Sequence, residues 1–506
     1  MVTKGFDDYY DVIVIGAGIG GLVSSVFLAK EGFSVLVVEQ GARPGGYCTS
    51  FKRDGFTFDI GLHAIGSCRE DGLMGRIISD LKIKNELKFV RSDPVDKIIT
   101  QDSDILIRKD FNKTIDSLKA QFPGSADKMD IFFKLVSTNS LKISSLILNK
   151  TFQDVLNELF INIKLKGILS LLLLEMGLSP LHISAIAAFG FYREFIMDRG
   201  YYPIGGMQAI PNTFVKRLRN FGGKLVLSKK VTKILIANGV VKGVILEDGV
   251  KIKARYVVSN AAARQTFFNL IGKEYLDRDF VKRLENMKIS TSAFLVFLGV
   301  NLKLKSVLSD YCTTWYYPYS NENVFSIDFT NPVTFMKQAF DEKGFVMLCS
   351  PSVKDPTLAP SGCESLILAI GAPFISEEFW RKNKSKLTDI LIKRAEQIIP
   401  GLSNHIIVQD AASPVTLYKY TLNTYGASCG WAQVVTHAQK GRFGPDTPIE
   451  NLYLAGHWAY PGAGIAMNGV AMAAYSGRLA AKSIIRKEKT KCRRKRKIWI
   501  KDLNTR

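Results

Sequence analysis

Apolar and polar positions first separate along this chain at residues 11–15, DVIVI, where a short apolar run predicts a buried strand. The run leads into glycines and a predicted helix over 19–30 with small residues on one face. A second apolar run, FSVLVVE at 33–39, predicts another strand. Strand, helix and strand at this spacing are the opening βαβ unit of a doubly wound sheet. Residues 110–200 follow a different rule: they are rich in Leu and Ile without strand alternation, which predicts several helices. Their apolar peak, Ile168 to Leu178, contains Glu175 and is followed by Ser179-Pro180. A bilayer span needs about 20 apolar residues, so a transmembrane helix is excluded there. From 224 the pattern becomes short strands. They are punctuated by Asn238-Gly239 and Asp248-Gly249, dipeptides that suit tight hairpin turns. Residues 290–430 mix strand-like runs with one clear helix near 377–398. The strand NLYLAG (451–456) and a small-residue helix close the folded part. No fixed-period repeat is visible.

Composition changes this picture in two places. The length, 506 residues, exceeds one ordinary core and predicts two or three domains. The formal charge of +22 is mostly dispersed lysine on solvated faces, except for a dense block from Arg486 to Lys501, RKEKTKCRRKRKIWIK. Nucleic acid, anionic lipid or a solubilising tail would each suit that block. Seven cysteines at 48, 68, 312, 349, 363, 429 and 492 include no C-x-x-C pair. A disulfide framework and a thiolate zinc site are therefore not expected, a reducing compartment is, and no metal site is assigned. The first apolar run is too short for a signal-peptide core.

The chemistry begins at Gly16-Ala17-Gly18-Ile19-Gly20-Gly21, between the first strand and the first helix. Gly16 permits the tight turn, Gly18 lets the backbone approach a pyrophosphate, and Gly21 allows close helix–strand packing. The helix N-terminus offers free N–H groups and a partial positive charge to the phosphates. Glu39 ends the second strand, where a carboxylate can take ribose hydroxyls. Three residues later stand Arg43-Pro44-Gly45-Gly46. A second glycine pair lets another turn lie against an extended dinucleotide, and Arg43 adds charge to it. This favours FAD over a nicotinamide cofactor.

E-x-x-x-R-x-G-G resembles the pattern of the amine oxidase and phytoene desaturase flavoprotein superfamily. Further along, DGFTFDIGLHAIG (54–66), GYYPIGGMQAIPNTFVKRL (200–218), YVVSNAA (256–262), TYGASCGWAQ (424–433) and NLYLAGHWAYPGAGI (451–465) resemble its segments in order. The match is closest to phytoene desaturases, carotenoid isomerases and retinol saturases, and PSVKDPTLAPSG (351–362) resembles the isomerase side. The resemblance implies an FAD site at Gly16, Gly18, Ile19, Gly20, Gly21, Glu39, Gln40, Arg43, Gly45, Gly46 and His63. Val231 would meet the adenine, Gly456 and His457 the pyrophosphate and ribityl region, and Gly464, Ile465 and Ala466 the flavin ring. The chain departs from the pattern at His457, where Asp or Glu is usual. The stretch AMNGVAMAAYSGR is also longer than the family's run to Ser-Gly.

Five histidines offer few acid–base groups. His63, Trp458 and Tyr460 are the candidates for lining the reaction site. His182, His405 and His437 read as structural or surface residues, and Arg193 with Glu194 as an ion pair on a helix surface. No nucleophile elbow is present, and no second Gly-x-Gly-x-x-Gly marks an NAD(P)H domain. The reading is an α/β protein with a Rossmann-like FAD-binding domain from 1–85, 202–290 and 431–486. A discontinuous α+β substrate domain, 86–201 and 291–430, carries a helical part at 110–200 expected to face a membrane, and 487–506 form a basic tail. The expected activity is FAD-dependent oxidoreduction, or flavin-assisted isomerisation or saturation, of C–C/C=C bonds in a carotenoid-like polyene, with oxygen or a quinone accepting electrons. An amine or amino-acid oxidase and a non-enzymatic polyene carrier are the rivals. The expected location is cytoplasmic and peripheral on an anionic membrane surface, with no nucleic acid bound.

Overall fold

Residues 7–61, 64–138, 145–308, 313–440, 443–459 and 469–504 are described in the computed structural model of the chain. The first apolar run forms strand β1 (Tyr9–Ile15), which feeds helix α1 (Ile19–Lys30) and strand β2 (Val35–Val38). All four residues of β2 are buried, as expected for a parallel strand covered on both faces. β1 pairs in parallel with β2 on one side and with the strand Lys251–Ser259 on the other. The strand Lys224–Val226 extends the sheet beyond β2.

The hairpins at 231–259 pair antiparallel on the far edge. At the first turn Asn238 and Gly239 both take positive φ, 51° and 72°, the geometry for which Asn-Gly is suited. Leu452–Leu454 joins in parallel beside Val257–Ser259, so this sheet draws strands from the beginning, middle and end of the chain.

A second seven-stranded sheet runs in the order 406–412, 292–300, 364–372, 346–349, 313–317, 96–100, 104–107. Helices between Phe111 and Ile196 bury Phe132, Leu169, Ile186 and Tyr192 in one core with Val296, Leu298, Leu366 and Leu368 of the sheet. The alternate residues of the same strands, Leu295, Phe297, Ile367 and Ala369, point the other way, toward Phe56 and Phe58. That alternation leaves a sheet face available to a site.

The small residues of the last helix, Val470–Asn504, let it lie on α1. A Cβ on Gly477 would stand 2.0 Å from the Gly20 carbonyl oxygen. This helix does not stop where the basic block begins. Glu488 accepts from Arg255 Nη1 at 2.7 Å and from Tyr256, and Lys487 reaches Glu450 and Asn451 at 3.0 and 2.7 Å. Among the described residues no helix is long and apolar enough to cross a membrane.

Candidate functional site

The glycine loop is shaped by close packing as much as by turn geometry. Gly16 takes φ 91°, which a side chain resists. A Cβ on Gly21 would stand 2.1 Å from the Gly16 carbonyl oxygen, and one on Gly20 would stand 2.3 Å from Gly456 N. Under the loop lies Asn260, whose Oδ1 accepts from Gly21 N at 3.0 Å and whose Nδ2 would be 2.5 Å from a Cβ on Gly18. Gly456, at φ 86°, closes the same corner, and its N–H donates to Ser476 Oγ at 2.8 Å.

The second glycine pair sits beside the first loop: Gly45 N donates to Ala17 O at 2.8 Å, with φ 129° at Gly45 and 62° at Gly46. Glu39 joins the two turns, its carboxylate accepting from Ala17 N and Gly41 N, each at 2.7 Å. Burial raises the Glu39 pKa, against the pull of those N–H groups. Arg43 is exposed, and its Nη1 donates to Ser50 O at 2.9 Å.

One cavity of about 940 Å³ collects these groups. Gly16, Gly18, Ile19, Gly20, Glu39, Gln40, Arg43, Gly45, Gly46, Val231, Gly456 and His457 all line it, whereas Gly21 lies behind the loop and serves packing. Its opposite wall is apolar: Leu295, Phe297, Ile367 and Ala369 from the second sheet, then Leu174, Met176, Trp315, Phe329 and Phe345. A glycine-lined end and an apolar chamber are therefore continuous.

His457 faces the cavity, and burial pulls its pKa down to about 4, so the ring is neutral near pH 7. Its Nε2 is 3.0 Å from Asn423 Oδ1, which also accepts from Trp458 Nε1 at 2.7 Å. An indole nitrogen only donates, which assigns the proton to His457 Nε2. Trp458 itself is fully buried, perpendicular to Trp431 at 4.8 Å, and belongs to the core rather than to the cavity wall. Tyr47 does line the cavity, donates to Gly426 O at 3.0 Å, and is pushed up to about 12 by burial. His63, Tyr460, Gly464, Ile465 and Ala466 lie outside the described residues.

The pair Arg193–Glu194 departs from its sequence reading as a surface contact. The chain winds as a π-helical turn over Tyr192–Ile196, and Glu194 is buried at the cavity edge. It accepts from Ser67 Oγ at 2.6 Å, Arg69 Nη2 at 2.9 Å and Arg193 Nε at 3.2 Å. Burial works against its ionisation, but the bonds from Arg69 and Ser67 outweigh it and hold the carboxyl below its usual range. Nothing in the sequence pairs Arg69 with a residue 125 positions away. Of the remaining histidines, His182 is exposed, His405 meets Asn301, and His437 bridges Ala432 O and Lys288 N. Among the described residues no cluster of His, Cys, Asp and Glu could hold a metal ion.

Fold and site together define a mixed α/β protein with a Rossmann-like domain, whose second sheet roofs the cavity. Residues 14–81 match the NAD(P)-binding Rossmann-like domain. Over nearly its whole length the chain is homologous to a chloroplastic prolycopene isomerase from Daucus carota, at 26% identity, covering 93% of this chain and 79% of the relative. It is similarly related to an all-trans-retinol 13,14-reductase from Danio rerio, at 25% identity over 88% and 82% of the two chains. Among solved structures, an oxidoreductase from Methanosarcina mazei shares the fold at TM-score 0.66 and 19% identity, over 93% of this chain and 99% of that one. Putrescine oxidase shares it at TM-score 0.65 and 15% identity, over 94% and 99%.

Proposed function

We propose that this protein is an FAD-dependent enzyme that oxidises, reduces or isomerises C–C/C=C bonds of a long, carotenoid-like polyene. The observation that carries the reading is the single cavity joining the glycine loop to an aromatic and aliphatic chamber. An extended dinucleotide fits the near end, because the backbone there is bare: Gly16, Gly18, Gly20, Gly45 and Gly46 line it without side chains. In this reading Gly18–Gly20 and the α1 N-terminus take the pyrophosphate, and Glu39 takes ribose hydroxyls in place of its present N–H partners. Gln40, Arg43 and Val231 flank the adenosine end, and Gly456 and His457 the ribityl chain. FAD supplies the two-electron chemistry when bound. The chain's own residues hold the polyene in register, exclude water through the apolar wall, and keep His457 neutral, so that no proton leaves or enters there near pH 7.

The homologues named for prolycopene and retinol support a polyene over a polar amine, as does the wall of Leu295, Phe297, Trp315 and Phe345. The test is anaerobic incubation of the protein, loaded with oxidised flavin and, separately, with dithionite-reduced flavin, with phytoene, prolycopene and retinol, followed by product spectrum. Altered spectra in one of the three support the reading. Hydrogen peroxide formed from amines in a parallel aerobic assay, with all three polyenes unchanged, overturns it. Electrons leaving the site pass in this reading to oxygen or a quinone.

The same reading places the protein peripherally on an anionic membrane surface, where such a substrate dissolves. Exposed apolar side chains gather in the helical segment: Ile131, Leu146, Ile161, Ile163 and Leu181, with Ile161 98% exposed. The basic helix end adds attraction of about 1 kcal/mol per Lys or Arg near the leaflet. Flotation with anionic vesicles, with and without residues 492–506, tests this. Glu488 ties the preceding turn to Arg255 and is retained. Truncation or high salt is expected to weaken flotation, and a full-length protein that never floats overturns the placement.

A further inference from the structure

Behind the apolar end of the main cavity lies a second one of about 180 Å³. The linings of the two share Phe329, Phe345 and Ile370, so these side chains are the wall between them. The two phenylalanine rings stand 6.0 Å apart, and Trp315 stacks on Phe345 at 6.1 Å.

The wall is held from behind. Arg394, 2% exposed, donates to Phe345 O at 2.6 Å and also to the carbonyls of Gln338, Ala339 and Asp341. A cation spent on backbone carbonyls fixes the turn that carries Phe345. Phe329 is fixed twice: its carbonyl accepts from Thr291 Oγ1 at 3.0 Å, and its ring lies where a Cβ on Gly371 would be 2.6 Å away. With both backbones anchored and both rings packed, Phe329 against Gly371 and Phe345 against Trp315, the two rings make a stop of definite position.

Resting on the polyene reading above, we propose that Phe329 and Phe345 form the stop that sets the length of substrate accepted. The end of the chain farthest from the glycine loop abuts these rings. The space behind them is a latent extension of the channel, closed in the protein as it stands.

The test uses the full-length, flavin-loaded protein and a homologous series of linear polyenes increasing by one isoprene unit. Binding is followed by quenching of Trp fluorescence, for which Trp315 is a reporter at the wall. Phe345→Ala is expected to improve affinity for the next-longer polyene by at least about tenfold relative to the shorter one, the equivalent of burying about two further methylenes. Phe345→Leu, less disruptive to the core, is expected to shift preference the same way by a smaller factor. Ala339→Leu fills the second cavity from its far side. Alone it leaves the length preference unchanged, and combined with Phe345→Ala it abolishes the gain. An unchanged order of preference in both Phe345 variants, with flavin content and thermal midpoint showing at least one of them folded, overturns the stop while leaving the polyene reading intact. A gain that survives Ala339→Leu overturns it as well. If the unaltered protein binds no member of the series, the polyene reading falls and the stop falls with it.

Discussion

Gly18→Ala separates two reasons why that position is glycine. A Cβ there would be 2.5 Å from Asn260 Nδ2, about 1 Å inside ordinary contact, so the amide must move. Movement breaks the bond from Gly21 N to Asn260 Oδ1, at 3.0 Å, and a buried donor left without a partner costs about 1–3 kcal/mol. Asn260→Ala loses the same bond and a similar amount. With the amide already gone, Gly18→Ala meets no obstruction. The double variant is therefore expected to cost about 1–2 kcal/mol less than the sum of the singles. Gly18 is also the N-cap of α1, and an Ala cap is poorer, but that cost enters both legs of the cycle and cancels. The assay is urea unfolding of the four cofactor-free proteins, with flavin content measured separately. If the glycine also serves a pyrophosphate, the double variant is relieved in stability yet remains poor in flavin. Additive costs within about 0.5 kcal/mol would refute the packing argument, and full flavin content in Gly18→Val would refute the cofactor role of the loop.

Three further outcomes are expected. His457 titrates at about 4 when folded and near 6.5 when unfolded, so the unfolded chain binds the proton first as pH falls. Its contribution is fully present above about pH 6.5 and is lost toward pH 4, by up to about 3 kcal/mol; urea midpoints of His457→Gln should show a flatter acid limb, and an identical limb would contradict this. Glu194→Ala should destabilise by about 2 kcal/mol, because Arg69 and Arg193 lose a shared carboxylate but keep partial access to water. A thermal midpoint equal to that of the unaltered protein would mean the network is idle. Neither NADH nor NADPH should reduce the bound flavin at a useful rate, since only one glycine fingerprint follows a strand, and rapid bleaching of the flavin band in stopped flow would disprove it.

Legibility followed distance along the chain. The βαβ opening could be read because its signals are local: apolar runs become β1 and β2, and the glycines sit at fixed offsets between β1 and α1. The helix expected near 377–398 appears as Glu377–Glu396, opened by a Ser376 cap on Phe379 N, also a local pattern. Asn260 was not assigned a role, because its bond to Gly21 crosses 239 positions and one Asn in a strand end looks like any other. Glu194 read as exposed because a charged pair on a helix usually is, whereas a π-helical turn and a distant Arg69 bury it. Trp458 beside a cofactor motif reads equally as cavity wall or as core, and its packing on Trp431 selects the core. The basic block looked like a free tail, although its one acidic residue, Glu488, docks it to Arg255.

The contact between Gly20 and Gly477 bears on how the molecule is made. The fingerprint loop is synthesised long before the helix that packs against its carbonyl, and before Gly456, which closes its corner. At about 5–20 residues per second the interval is on the order of a minute. During that time the loop has neither of its late partners, and the sheet beneath it lacks the strand Leu452–Leu454. Closure of the loop's corner is thus a late event, which waits for Gly456 and Gly477. A product that stops before Leu452 carries the entire fingerprint and still cannot finish the corner around it.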